Sequence, residues 1–220
     1  MKDRKSNIRF DFHYFENRSV DYIIGLDEAG RGPLAGPLLV GLYVLEKKTD
    51  DFIQGVDDSK DIPVEKRKVL FEKIKSKAYY WDYIKIDAKK IDELNIYRAT
   101  GFGMKQLLDD LPADIYENSH ILTDAMEINI PRYKYTKIIK GDKKSYSIGA
   151  ASIIAKVLRD KIMIEYADKY PEYDFKNNKG YGTKKHIEAL KKEGITPIHR
   201  HSFNPVRTML KNKIQNKFKF

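Results

Sequence analysis

The chain contains no cysteine. That absence removes disulfide staples, thiolate zinc sites and a cysteine nucleophile, so any metal must be held by oxygen or imidazole. Long apolar runs are also missing. No stretch approaches the roughly 20 apolar residues that a bilayer crossing needs, and the opening MKDRKSNIRFDFHYFENRS lacks the apolar segment of a signal peptide. A cytoplasmic protein with no membrane partner is expected. Acid is scarce relative to base, with 32 Asp and Glu against 42 Lys and Arg and a formal charge of +10. This balance suits a polyanion such as nucleic acid, although a lysine-rich composition without such a partner reads equally well from charge alone.

With 220 residues, 41% hydrophobic and 34% charged, the chain can build one good core plus an extension. Short aliphatic runs bounded by Gly and Pro predict strands at 21–27 (DYIIGLD) and 37–44 (PLLVGLYV), and further strands at 79–86, 120–124 and 135–139. Helical spacing marks 64–77, where Val69, Leu70 and Ile74 recur among lysines, and 96–111, 147–166, 183–193 and 208–217. Strands alternating with helices predict an α/β sheet. The division expected is a leader over 1–20, a core over 21–170 and a C-terminal helical extension over 171–220.

Three acids sit at the ends of predicted strands: Asp27, Asp124 and, in IIKGD, Asp142. In an open α/β sheet the crevice beyond the strand ends gathers residues far apart in sequence. Carboxylates brought together there repel and raise one another's pKa unless a hard cation such as Mg²⁺ or Mn²⁺ neutralises them. Glu28, directly after Asp27, adds a second acid at the same lip. Each acid taken alone also reads as a turn residue or helix cap. In GLDEAGRGPLAGP, Gly30 and Gly32 open the main chain to a ligand and Arg31 supplies a planar fork of donors. An ordinary Gly-Pro turn explains the same residues, and the missing GxxxxGK[ST] excludes an ordinary P-loop.

GLDEAGRGPLAGP, DDSK (57–60), ELNIYRAT (93–100), TDA (123–125), KGDKKSYSIGAASIIAKVLRD (140–160), KGYGT (179–183) and HRHSFNPV (199–206), in that order, closely resemble ribonuclease HII of the bacterial type, from about residue 21 to 207. The resemblance implies a ribonuclease H-like mixed sheet flanked by helices, with a small C-terminal helical subdomain. It implies a monomeric enzyme that cuts the RNA strand of RNA–DNA hybrids and nicks ribonucleotide-containing duplex DNA 5′ to the ribonucleotide, with Mg²⁺ or Mn²⁺. The catalytic and metal-binding acids would be Asp27, Glu28, Asp124 and Asp142, the third in TDA where many members have IDG. Gly30, Arg31 and Gly32 would sense the ribose and Tyr181 would pack on the next sugar. Phosphate-side contacts are expected at Ser59, Lys60, Asn95, Arg200 and Ser202. Two departures stand out: Asp61 follows DSK where another Lys is common, and His201 stands between HR and SF. The small residues 149–152 are expected to let their helix lie close to the sheet. The alternatives are a ribonuclease HIII-like, hybrid-specific nuclease, against which GRG and Tyr181 speak, and a non-catalytic nucleic-acid-binding module.

Overall fold

The computed structural model describes residues 6–56, 61–128 and 134–217. Among these, the strands form one five-stranded sheet in the order β3-β2-β1-β4-β5. The strands are β1 (Tyr22–Ala29), β2 (Leu38–Glu46), β3 (Tyr80–Ile86), β4 (Ser119–Asp124) and β5 (Tyr135–Ile138). β1 pairs antiparallel with β2 from Tyr22↔Glu46 to Ala29↔Leu39. It pairs parallel with β4 from Tyr22↔Ser119 to Leu26↔Thr123, and β4 pairs parallel with β5 up to Asp124↔Ile138. The carboxyl ends of β1, β4 and β5 therefore share one edge. β1 runs on past its expected end at Asp27 because β2 keeps pairing with it through Ala29.

The helices are α1 (Ser6–Arg18), α2 (Val64–Lys77), α3 (Ala88–Leu94), α4 (Ile96–Asp109), α5 (Ala113–Glu117), α6 (Gly141–Lys144), α7 (Tyr146–Lys169), α8 (Phe175–Asn178), α9 (Lys184–Glu193) and α10 (Val206–Lys217). α2 has the expected span but a shifted stripe: Arg67, Leu70, Phe71 and Ile74 are buried while Val69 is exposed. The spacing 67, 70, 71, 74 is the i, i+3, i+4, i+7 pattern of one helical face, and Arg67 turns its Nη2 onto the Ile62 carbonyl at 2.8 Å. Among the described residues no helix is long and apolar enough to cross a membrane.

The chain groups into two compact units that interleave along the sequence. The first comprises Met1–Ala29, Leu39–Ile84 and Thr100–Val157, the second Gly30–Leu38, Lys85–Ala99 and Leu158–Phe220. In the first unit the start of α7 lies directly against the sheet. A Cβ on Gly25 would fall 2.1 Å from the Ser147 carbonyl carbon, and one on Gly41 2.4 Å from the Ala151 oxygen. The close approach thus depends on glycines of β1 and β2 as well as on the small residues of the helix, where sequence reasoning had placed it.

Residues 6–18 of the leader form a helix. In the first unit, α1 buries Ile8 and Phe15, each worth about 1.5–3 kcal/mol when removed from water, together with Asn7 and Asp11. Asn7 Nδ2 donates to the Val56 carbonyl at 2.9 Å. Asp11 Oδ2 accepts the Ser147 amide at 2.7 Å, placing a carboxylate on the positive first turn of α7. Burial raises the Asp11 carboxyl to about 7. The second unit has its own core, in which Leu34, Ala35, Met163, Tyr173, Phe175, Leu190 and Val206 are buried together.

Candidate active site

In the first unit the sheet register does the gathering. Leu26 is the last residue of β1 paired with β4, so Asp27 stands at the level of Asp124, the final residue of β4. β5 ends opposite Asp124, and the chain then turns through Lys140, at φ 58°, into α6 with Asp142 in its first turn. Carboxylate oxygens of Asp27, Asp124 and Asp142 all lie within 4.8 Å of one another. Asp27 and Asp142 are each 4% exposed.

One backbone amide orients each carboxylate. Glu28 N donates to Asp27 Oδ1 at 2.8 Å, Gly141 N to Asp124 Oδ1 at 2.7 Å and Lys143 N to Asp142 Oδ1 at 3.0 Å. A Cβ on Gly141 would fall 2.6 Å from Ile148 Cδ1, the tip of a side chain that would have to shift. Burial, then the charges of Glu28 and Asp124, push the Asp27 carboxyl well above the usual range, against a lowering hydrogen bond from Ser152. A hard divalent cation relieves this strain, and the residues fit one: three closely spaced oxygens, with no nitrogen or sulfur among the three, match Mg²⁺ or Mn²⁺. Glu28 lies near enough to raise Asp27 but is not among the three closely spaced carboxylates.

The second unit begins where Asp27-Glu28-Ala29 gives way to Gly30. Gly30 has φ +98°, and a Cβ there would fall 2.1 Å from Arg159 Nε, whereas one on Gly32 would only touch Tyr181 Cε1 at 3.5 Å. Arg31 and Gly32 are exposed, and the Tyr181 ring is 48% exposed. The turn and the tyrosine ring therefore border one another.

Arg200, expected to face phosphate, instead lies in the interior, with no side-chain exposure. Its Nη2 donates to the carbonyl oxygens of Gly30 at 2.6 Å and Gly36 at 3.0 Å, its Nη1 to Arg31 at 2.9 Å and its Nε to Gly36 at 3.1 Å. Burying a guanidinium costs several kcal/mol, and charge-assisted bonds of about 1.5–3 kcal/mol each offset it. Arg159, which sequence reasoning did not single out, does the same to the far side of the loop. Its Nε donates to Pro37 O at 2.9 Å and its Nη2 to Ala35 O at 3.3 Å. Burial lowers Arg159 to about 10 and Arg200 to about 9, so both remain charged at neutral pH beneath the turn.

The other expected phosphate contacts are placed as follows. Asn95, at φ 65°, accepts the Arg98 amide on Oδ1 at 3.1 Å and caps the start of α4. Ser202 donates its amide at 2.9 Å, and its hydroxyl, to Asp92, which also accepts the His201 amide at 2.7 Å. Ser59 and Lys60 lie outside the described residues.

A mixed sheet that brings three aspartates together at the carboxyl ends of its parallel strands, flanked by helices, defines the ribonuclease H-like class of hydrolases. The chain belongs to the ribonuclease HII family, whose model matches residues 24–206, and it is an enzyme of ribonuclease H type 2. It is 46% identical over 188 residues to a ribonuclease HII of Enterococcus faecalis, covering 86% of this chain and 71% of that protein. The crystal structure of ribonuclease H2 from Pyrococcus horikoshii superposes with a TM-score of 0.73 at 27% identity, over 89% of this chain and all 100% of the other. Bst-RNase HIII in complex with Mn²⁺ shares the fold, with a TM-score of 0.64 at 16% identity over 96% of this chain and 75% of that one.

Proposed function

We propose that this enzyme hydrolyses the RNA strand of RNA–DNA hybrids and nicks duplex DNA on the 5′ side of an embedded ribonucleotide, leaving a 3′ hydroxyl and a 5′ phosphate. The observation that carries the reading is the Asp27, Asp124 and Asp142 triad, with the Gly30-Arg31-Gly32 turn following Asp27-Glu28 after a single residue. The chemistry needs no covalent nucleophile from the protein. Asp27, Asp124 and Asp142 would hold Mg²⁺ or Mn²⁺, and Glu28 would complete the set. When bound, divalent ions supply Lewis-acid activation of water and neutralise charge at the leaving oxygen.

The chain's own residues orient and select. The amides of Glu28, Gly141 and Lys143 fix the carboxylates before substrate arrives. Gly30, Arg31 and Gly32 test for the ribose hydroxyl, and Tyr181 packs on the adjoining sugar. A site with polar groups left unpaired when the hydroxyl is missing discriminates best, and the exposed main chain at Gly32 supplies such groups. The excess of Lys and Arg holds the duplex by its phosphates, so binding weakens as salt rises. A monomer in the cytoplasm suffices for this chemistry.

The test is a duplex carrying one ribonucleotide, an RNA–DNA hybrid and an all-DNA duplex, each incubated with Mg²⁺ and then with Mn²⁺. Cleavage 5′ to the ribonucleotide and along the hybrid, with the all-DNA duplex intact, is expected, and Asp27→Asn or Asp124→Asn should abolish it while duplex binding persists. An intact ribonucleotide duplex under both metals, or near-normal turnover in both variants, would overturn the proposal.

A further inference from the structure

Within the second unit, two adjacent residues reach both loops that the proposed function relies on. Arg200 holds the carbonyls of Gly30 and Arg31. Its neighbour His199 leads, through a second buried histidine, to Tyr181. The Thr196 amide lies 2.9 Å from His199 Nδ1, His199 Nε2 lies 3.0 Å from His186 Nε2, and His186 Nδ1 lies 2.9 Å from the Tyr181 carbonyl oxygen.

The backbone at the two ends decides where every proton sits. An amide N–H can only donate, so His199 Nδ1 accepts, and the Thr196 hydroxyl at 2.8 Å donates to the same nitrogen. A neutral ring that accepts on Nδ1 carries its proton on Nε2. His186 must then accept on Nε2 and carry its proton on Nδ1, where it meets a carbonyl that can only accept. A further proton on either ring would set two donors face to face. Both histidines are buried, with Tyr173 5.2 Å from the His199 ring and Phe175 5.2 Å from the His186 ring, centroid to centroid. Burial lowers both histidines, His199 to about 4.

Main-chain bonds tie the same segments together. Arg200 N donates to Leu34 O and Gly36 N to Ile198 O, each at 2.9 Å, and Leu34 N donates to Gly180 O at 2.8 Å. A Cβ on Gly180 would fall 2.2 Å from Ala35 O. The turn and the tyrosine loop thus share one buried support.

We infer that His186, His199 and Arg200 are positioning residues for ribose recognition: the His199-His186 relay sets Tyr181, Arg200 sets Gly30-Arg31-Gly32, and their adjacency keeps the two in register. This role rests on the ribose-sensing reading given above. None of the three touches substrate. The arrangement acts by holding donors to the fraction of an ångström that discrimination requires.

Two measurements test it. In the full-length protein, long-range ¹⁵N spectra of the histidine rings should show the Nδ1–H form for His186 and the Nε2–H form for His199 at pH 7. The reverse forms, or a charged ring, would overturn the relay whatever the substrate does. In the second, His186→Phe removes the donor to Tyr181 while filling the space, and it should lower the ratio of single-ribonucleotide nicking to hybrid cleavage by about tenfold or more. His186→Asn, which keeps an N–H near the position of Nδ1, should recover much of that ratio. Arg200→Lys keeps the charge but loses the fork, and it should raise KM for the ribonucleotide duplex more than it lowers kcat. A folded His186→Phe variant, judged by circular dichroism, whose ratio stays within about twofold of wild type would overturn the positioning role even if Arg200→Lys fails to fold. If wild type itself shows no preference for a ribonucleotide over all-DNA duplex, the ribose reading falls and the specificity role with it, while the tautomers still decide the relay.

Discussion

Replacing Asp27 with Asn should stabilise the metal-free protein while destroying its response to metal. Three carboxylate oxygens lie within 4.8 Å of one another. Two unit charges at that separation repel by about 3.5 kcal/mol at an effective dielectric of about 20. Protonation already relieves part of this repulsion, because burial, Glu28 and Asp124 push Asp27 well up. A net gain of about 1–3 kcal/mol at pH 8 is therefore expected, which for a chain of this size is roughly 2–12 °C in melting temperature. The sign of the pH effect follows from the direction of the shift. An acid whose folded-state pKa is raised costs nothing below its unfolded pKa, progressively more as pH climbs toward the raised value, and no more above it. The advantage of Asp27→Asn should thus widen as pH rises above the ordinary carboxylate range. Mg²⁺ at about 100 times its dissociation constant should stabilise wild type by about 2.7 kcal/mol and the variant far less, so the two melting curves draw together or cross between EDTA and saturating Mg²⁺. Scanning calorimetry in both conditions is the assay. A variant that melts below wild type in EDTA, or gains as much as wild type from Mg²⁺, would refute the carboxylate reasoning.

Ala125 has φ 52°, a left-handed conformation that costs a residue with a Cβ about 1–2 kcal/mol. Ala125→Gly should raise stability by about 0.5–1 kcal/mol after the entropy of glycine is counted, and urea unfolding should show a higher midpoint with an unchanged slope. Gly30→Ala should destabilise by about 2 kcal/mol or more, since its Cβ meets Arg159 at 2.1 Å and its φ is +98°. Gly32→Ala, with only Tyr181 at 3.5 Å, should melt close to wild type yet bind a ribonucleotide duplex less selectively; equal melting of the two alanine variants would contradict the geometry of the turn.

The aspartates were legible in the sequence because each follows an aliphatic run, and runs joined by helices place their carboxyl ends on one edge of a parallel sheet. The register that puts Asp27 level with Asp124 comes from strand pairing and could not be counted from spacing. Glu28 shares the motif but is not among the three close carboxylates, which its adjacency to Asp27 does not foretell. Arg200, expected on the phosphate side from the resemblance, is buried, and acceptors 164 to 170 positions away in the sequence make that burial tolerable. His186 and His199 gave no signal, since a buried histidine pair is defined by what its far nitrogens meet. The helical leader escaped notice because its apolar residues are interleaved with charged ones and its deepest residue is an acid, Asp11. The short helices α3, α5 and α6 span too few residues for periodicity to register.

The seat of Asp11 on the first turn of α7 also sets an order in time. Ser147 follows Asp11 by 136 positions, so at roughly 5–20 residues per second of synthesis the carboxylate is made about 7–27 s before its partner. Until then, burying Asp11 would strand a carboxyl group without its amide, at a cost of several kcal/mol. The N-terminal helix is made early and docks late, and its closure onto the core reports that the start of α7 has arrived and folded.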